Sequence, residues 1–318
     1  MKVCVVGAGA IGGLLAVKLA RCGQPVSVIA RGAHLKAIRR NGLELIENGE
    51  RHVVTDIVAT DDMAELEPQD LVLLAVKAHQ IEPIADQLMG LLSHEGVIVT
   101  LQNGIPWWYF QKLGGEYRDR IVETVDPGGK IARTIDPERV IGCIAYPAAT
   151  IEEPGVIRHI EGDRFPVGEL DGVQTERVEA VSAAFTDAGF KAYILPDIRS
   201  EIWLKLWGNL SFNPISALTH STLVDICQFP QTRALAAQMM TEAQIIAEKL
   251  GASFRVPLER RIEGAGKVGT HKTSMLQDVE AGKPLEIDGM LGVVVELGEQ
   301  THTPTPALNT VYALVSLL

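Results

Sequence analysis

An α/β protein whose second part is all-helical is what three stretches of this 318-residue chain predict. Residues 3–6 (VCVV) are apolar without alternation, the pattern of a strand buried on both faces. The run at 7–12 reads GAGAIG and leads into a helical segment, 13–21, with Gly23 placed to stop it. From Asp197 almost to the end, apolar residues recur at helical spacing.

Taken in order, 25–30 (PVSVIA) is a second buried strand. Strand, glycine turn, helix and strand thus fall within ~30 residues and make a right-handed βαβ unit. Each glycine of the turn has a use: Gly7 for its tightness, Gly9 for backbone approach to a pyrophosphate, Gly12 for close packing of helix on sheet. Ala8, Ala10 and Ile11 complete a loop that ends at a helix N-terminus, where free N–H groups and the positive dipole end suit phosphate. This context predicts a Rossmann-type dinucleotide-binding domain. Further strands are expected at 71–76 (LVLLAV), 97–101 (VIVTL) and 121–124 (IVET), with helices between them. From about Arg139 the runs RVIGCIAYPAATI, GVIRHI and RFPVGEL suggest antiparallel strands appended to the parallel sheet. Helices are expected at 200–213, 231–250, 273–281, 287–299 and 306–317. The division into domains is placed at 1–196 and 197–318.

The chain is 47% hydrophobic and 22% charged, enough to bury a sizeable core. Its net charge of −11 argues against broad binding of nucleic acid or anionic membrane, leaving a small substrate at a locally basic site. Cys4, Cys22, Cys143 and Cys227 are scattered without metal-site spacing, which predicts reduced thiols, a cytoplasmic protein and no metal. The opening apolar run is broken by Gly7, Gly9, Gly12 and Gly13 and followed by Lys18 and Arg21, so neither a signal peptide nor a membrane span is expected. Nothing in the sequence opposes a homodimer.

The end of the second strand bears on cofactor choice. NAD-binding proteins usually place an acidic residue there for the ribose 2′-hydroxyl. This chain has Ala30-Arg31-Gly32, with Lys36, Arg39 and Arg40 beyond. A guanidinium suits a 2′-phosphate, which points to NADP(H); a solvated loop charge is the plainer alternative. In 200–214 (SEIWLKLWGNLSFNP), Ser200 is placed as an N-cap, and Ile202, Trp203, Leu206, Trp207 and Leu210 form an apolar stripe. Lys205, Asn209 and Asn213 stand at i, i+4 and i+8, on one face. On spacing alone a catalytic face and a polar outer face with a stray lysine account for them equally. Pro214 is expected to disturb the helix near Leu210.

GAGAIG at 7–12, Arg31, AVKAHQ at 75–80, QNG at 102–104, K-x-x-x-N-x-x-x-N-P at 205–214 and SMLQD…EID at 274–288 together resemble the ketopantoate reductase family over nearly the whole chain. The resemblance implies NADPH-dependent reduction of a 2-oxo acid, 2-dehydropantoate to pantoate. It also implies a Rossmann-type domain followed by an all-helical domain, with the substrate in the cleft between them. It assigns Lys205 as general acid and Glu286 as the acidic residue contacting substrate or lysine. By the same likeness Asn209 and Asn213 orient substrate hydroxyl and carbonyl groups, and Ser274 binds the carboxylate. Lys77 and Asn103 fall beside the nicotinamide end of the cofactor, Asn103 also within reach of substrate. For Lys77 a strand-end cap is the plainer alternative. The chain departs from the family's usual residues at Trp107-Trp108-Tyr109-Phe110, Tyr146-Pro147 and His271, which bears on which 2-oxo acid is reduced. At least two of the four aromatics are expected to pack against the domain core. The competing readings are a β-hydroxyacid dehydrogenase, whose glycine-rich approach to the lysine is replaced here by 198–204 (IRSEIWL), and an NADP-binding redox sensor without catalysis.

Overall fold

The computed structural model describes all 318 residues. They form two compact units, the first of residues 1–102, 111–113 and 130–198, the second of 103–110, 114–129 and 199–318. The sequence alone points to a single division after residue 196. In the structure two stretches from the first half of the chain belong with the helices.

In the first unit the chain runs β1 (Val3–Val6), α1 (Ala10–Arg21), β2 (Val26–Ile29), α2 (Gly32–Asn41), β3 (Leu43–Glu47), β4 (Glu50–Val54), β5 (Val58–Thr60), β6 (Gln69–Leu74), α3 (Ala85–Leu91) and β7 (Leu92–Thr100). It continues with α4 (Lys130–Thr134), β8 (Val140–Cys143), β9 (Ala148–Glu153), β10 (Val156–Glu161), β11 (Val167–Glu169) and α5 (Glu176–Asp187). Seven strands form one sheet in the order β11-β8-β7-β6-β1-β2-β5, parallel throughout except β11 against β8. β1 lies between β2 and β6, so the winding reverses there. In open α/β sheets, ligands bind beyond the carboxyl ends of the strands at such a point.

A second sheet, β4-β3-β10-β9, explains why α1 has no polar face. Leu14, Leu15, Ala16, Val17 and Leu19 are fully buried because α1 packs against β1 and β2 and also against β3, β4, β9 and β10. Adjacent glycines allow both approaches. A Cβ on Gly12 would stand 2.0 Å from the Gly7 carbonyl oxygen, and one on Gly13 2.6 Å from Ile157 of β10. Lys18, in the middle of this helix, pairs with Glu47 of β3 at 3.0 Å. The strands expected after Arg139 therefore divide: β8 is parallel, only β11 is an antiparallel addition, and β9 and β10 build the separate sheet.

The second unit holds α6 (Ile198–Thr219, its first residue counted with the first unit), α7 (Leu223–Gln228), α8 (Pro230–Lys249), α9 (Leu258–Lys267) and α10 (Ser274–Glu280). A π-helical turn, Asp288–Gly292, then leads into α11 (Val293–Gln300), and α12 (Pro306–Val315) follows. Trp203, Leu206, Trp207 and Leu210 of α6 are buried, and the Trp207 indole N–H donates to the Met240 carbonyl of α8 at 2.6 Å. No helix is long and apolar enough to cross a membrane.

Three local expectations change. Residues 121–124 form no strand; the backbone N–H groups of Glu123 and Thr124 donate instead to the Glu296 carboxylate, at 2.9 and 2.8 Å. Ser200 lies inside the first turn of α6 rather than capping it, and its hydroxyl accepts from the Ser253 N–H at 2.8 Å. The helix runs through Pro214 to Thr219, because Leu210, Phe212, Ile215 and Ala217 are buried on both sides of the missing N–H.

Glu242 of α8 is a buried carboxylate that accepts from the N–H groups of Ala307 and Leu308, both at 3.0 Å. It satisfies two free donors of the α12 N-terminus, where the helix dipole also favours negative charge. Glu242→Ala is expected to lower stability by about 1–2 kcal/mol. The check is a lower urea midpoint with an unchanged slope.

Candidate active site

In the first unit the chain leaves β1 at Gly7, whose φ of +99° suits glycine alone. The N–H groups of Gly7 and Ala8 both donate to the Ile29 carbonyl at the end of β2, at 3.1 and 3.2 Å, which ties the loop down. Gly9 is the residue before α1, and a Cβ there would meet nothing within 4 Å. The loop is open above Gly9. The N–H groups of Ala10, Ile11 and Gly12 begin the helix and have no partners within it, the arrangement that receives phosphate.

A cavity of about 250 Å³ opens on this loop, bordered by residues 7–9, Arg31, His34, Met63, Gln80 and Ile84 among others. Arg31 is exposed just before α2, without a side-chain bond to the helix. Lys77 follows β6 and opens a short turn, its N–H donating to the Gln80 side chain at 3.1 Å. The glycine loop packs beside it: a Cβ on Gly7 would stand 2.8 Å from Val76. A loop open above Gly9, a helix N-terminus and a guanidinium at the end of β2 fit a dinucleotide with a 2′-phosphate.

His34 was not anticipated. Its Nδ1 accepts from the Gly155 N–H at 3.0 Å, so the proton of the neutral ring sits on Nε2. Burial pushes the imidazole below its ordinary range, the nearby Ala8 carbonyl working the other way. The available signal was its place one helical turn after Arg31.

In the second unit, α6 carries Lys205, Asn209 and Asn213 away from its buried tryptophans; Asn213 is buried, the other two half-buried. The Lys205 ammonium donates to the Asn103 side-chain oxygen at 2.6 Å. This contact joins residues far apart in sequence, and it exists because 103–110 belongs with the helices. Ser274 is the exposed first residue of α10, which Thr273 caps by accepting from the Leu276 N–H at 3.3 Å. Glu286 lies half-buried just before the π-turn. Residues 7–12, Arg31 and Lys77 therefore lie in one unit, whereas Asn103, expected beside the nicotinamide as well as near substrate, lies with Lys205, Asn209, Asn213, Ser274 and Glu286 in the other.

Residues 3–172 match the family model described as ketopantoate reductase PanE/ApbA, and residues 197–318 match its C-terminal counterpart. The chain belongs to the ketopantoate reductase family. It is 53% identical over 319 residues to a 2-dehydropantoate 2-reductase of Mesorhizobium japonicum, covering all of this chain and 98% of that protein. Identity to the 2-dehydropantoate 2-reductase of Pyrococcus horikoshii is 30%, over 99% of this chain and 96% of the relative. A crystal structure assigned as a ketopantoate reductase, from Ralstonia solanacearum, superposes with a TM-score of 0.95 at 38% identity, covering 99% of this chain and 97% of that one. D-mandelate dehydrogenase, solved with NADH and anilino(oxo)acetate, shares the fold at a TM-score of 0.83 and 20% identity, over 100% of this chain and 98% of that one.

Within the ketopantoate reductase frame, the aromatic departure is structural. Trp107, Trp108, Tyr109 and Phe110 are each at most 3% exposed. The Tyr109 hydroxyl accepts from the Trp203 indole at 2.7 Å, and the Arg199 guanidinium donates to the Tyr109 carbonyl at 2.7 Å. Tyr146 likewise lies beneath the Arg164 guanidinium, 4.2 Å from its ring centre.

Proposed function

We propose that the protein reduces 2-dehydropantoate to pantoate with NADPH, Lys205 serving as the proton donor. The observation that carries this reading is the 2.6 Å bond from the Lys205 ammonium to Asn103. It sets a half-buried lysine in one direction, so that its ammonium is positioned by the helical unit rather than by solvent. A solvated outer lysine has no such constraint.

NADPH held by its phosphates at residues 7–12 and at Arg31 would supply the hydride from its nicotinamide. As the 2-oxo carbon receives it, the C=O electron pair moves onto oxygen. Lys205 stabilises that charge and gives the oxygen its proton, becoming a neutral amine that water reprotonates. Asn209 and Asn213 orient the substrate's hydroxyl and carbonyl groups, Ser274 binds its carboxylate, and Glu286 orients lysine or substrate. Arg31 binds the 2′-phosphate. The aromatic run at 107–110, being core, leaves substrate choice to these polar residues.

The test is steady-state NADPH oxidation over a panel of 2-oxo acids. The highest kcat/KM is expected with 2-dehydropantoate; an arylglyoxylate used equally well overturns the substrate assignment. Ser274→Ala and Asn213→Ala are expected to raise KM about tenfold while lowering kcat less, as for groups that hold ground and transition states alike. A variant with unchanged KM removes that residue from the pocket.

A further inference from the structure

The π-helical turn Asp288–Gly292 breaks the helix ladder at one informative place. The N–H of Val293 donates to the Asp288 carbonyl, one residue further back than an α-helix would take it. The Gly289 carbonyl, which an α-helix would have paired with Val293, is thereby released. It accepts instead from the Ile105 N–H at 3.1 Å. The neighbouring Gly104 sits flat on the same peptide: its φ is +87°, and a Cβ there would lie 1.8 Å from the Gly289 oxygen. The residue before that is Asn103, the partner of Lys205.

The π-turn is itself fastened from outside. The Tyr312 hydroxyl, on α12, donates to the Asp288 carboxylate at 2.7 Å. Gly292 makes room for the ring, since a Cβ there would stand 2.9 Å from the phenol oxygen. The bond to Asp288, with burial, pushes the phenol up to about 12, so it keeps its proton and remains a donor throughout the neutral range.

We propose that Tyr312 is a positioning residue for the Lys205–Asn103 pair, acting through the π-turn whose released Gly289 carbonyl docks residues 103–105. The inference rests on the catalytic reading of Lys205 for its effect on rate, though not for its effect on the backbone. Loss of the Tyr312 bond lets the turn relax toward α-helical pairing, which reclaims the Gly289 carbonyl for Val293 and frees Ile105. Asn103 then holds the ammonium less well.

The experiment is a double-mutant cycle, joined by hydrogen exchange on the full-length protein. Tyr312→Phe is expected to lower kcat about three- to tenfold, leaving NADPH affinity by fluorescence titration unchanged. Asp288→Ala should match it, whereas Asp288→Asn, which keeps an acceptor oxygen, should restore most of the rate. In an Asn103→Ala background Tyr312→Phe should cost nothing further, because the two act through one contact. The peptide containing Ile105 should exchange faster in Tyr312→Phe than in wild type. Equal rate losses in both backgrounds, or unchanged protection of that peptide, overturn the proposal. A Lys205→Ala enzyme of normal kcat overturns the catalytic reading instead, and the exchange result still decides whether Tyr312 governs the 103–105 segment.

Discussion

Lys205→Ala is expected to reduce kcat by on the order of 10²–10⁴. The lysine's work is done when charge develops on the substrate oxygen, so its loss falls on the transition state more than on bound substrate. NADPH affinity should barely change, because the glycine loop and Arg31 belong to the other unit. Arginine at 205 should not restore the rate: a guanidinium keeps the charge but is a very poor proton donor, and its planar fork does not match a contact built for a point-like ammonium. Kinetics and cofactor titration on the purified variants decide the matter. If kcat stays within a few-fold of wild type, Lys205 is a surface lysine and the assignment falls.

Arg31→Ala is expected to weaken NADPH binding by about ten- to a hundredfold while leaving NADH nearly untouched. The guanidinium is exposed beside the cavity and spends no bond on capping α2, so it is free to meet a phosphate without breaking anything first. Titration with both nucleotides reads the difference directly. Wild-type protein that binds NADH as tightly as NADPH would show that the end of β2 has been misread. The same contact should weaken as salt is raised, since the guanidinium faces solvent.

What was legible in the sequence is what local chemistry writes locally. VCVV, GAGAIG and PVSVIA each carry their own signal, and together they lead to β1, the open loop and β2 with boundaries shifted by only a residue or two. The helical face of Lys205, Asn209 and Asn213 follows from spacing in the same way. The second sheet was not legible, because β3 finds its parallel partner in β10 far along the chain, and neither strand's pattern names the other. The signs of α1's double burial were present in the adjacent glycines 12 and 13, but only the Ile157 contact shows what the second one is for. Asn103 was recognised by its motif, yet its membership of the helical unit depends on Gly104 meeting Gly289, again a long-range fact. The π-turn is invisible to periodicity, since one extra residue in a turn barely alters the apolar pattern.

The interleaving of the two units has a consequence for recombination. The backbone passes from one unit to the other five times, not once. A fragment starting at residue 197, or a chimera that exchanges only the C-terminal half with a relative, inherits Lys205 but leaves Asn103 behind. It also parts Trp203 from Tyr109, and Glu296 from the two amides it accepts from. Any crossover between family members that is meant to preserve a working helical half must therefore carry residues 103–110 and 114–129 with residues 199–318.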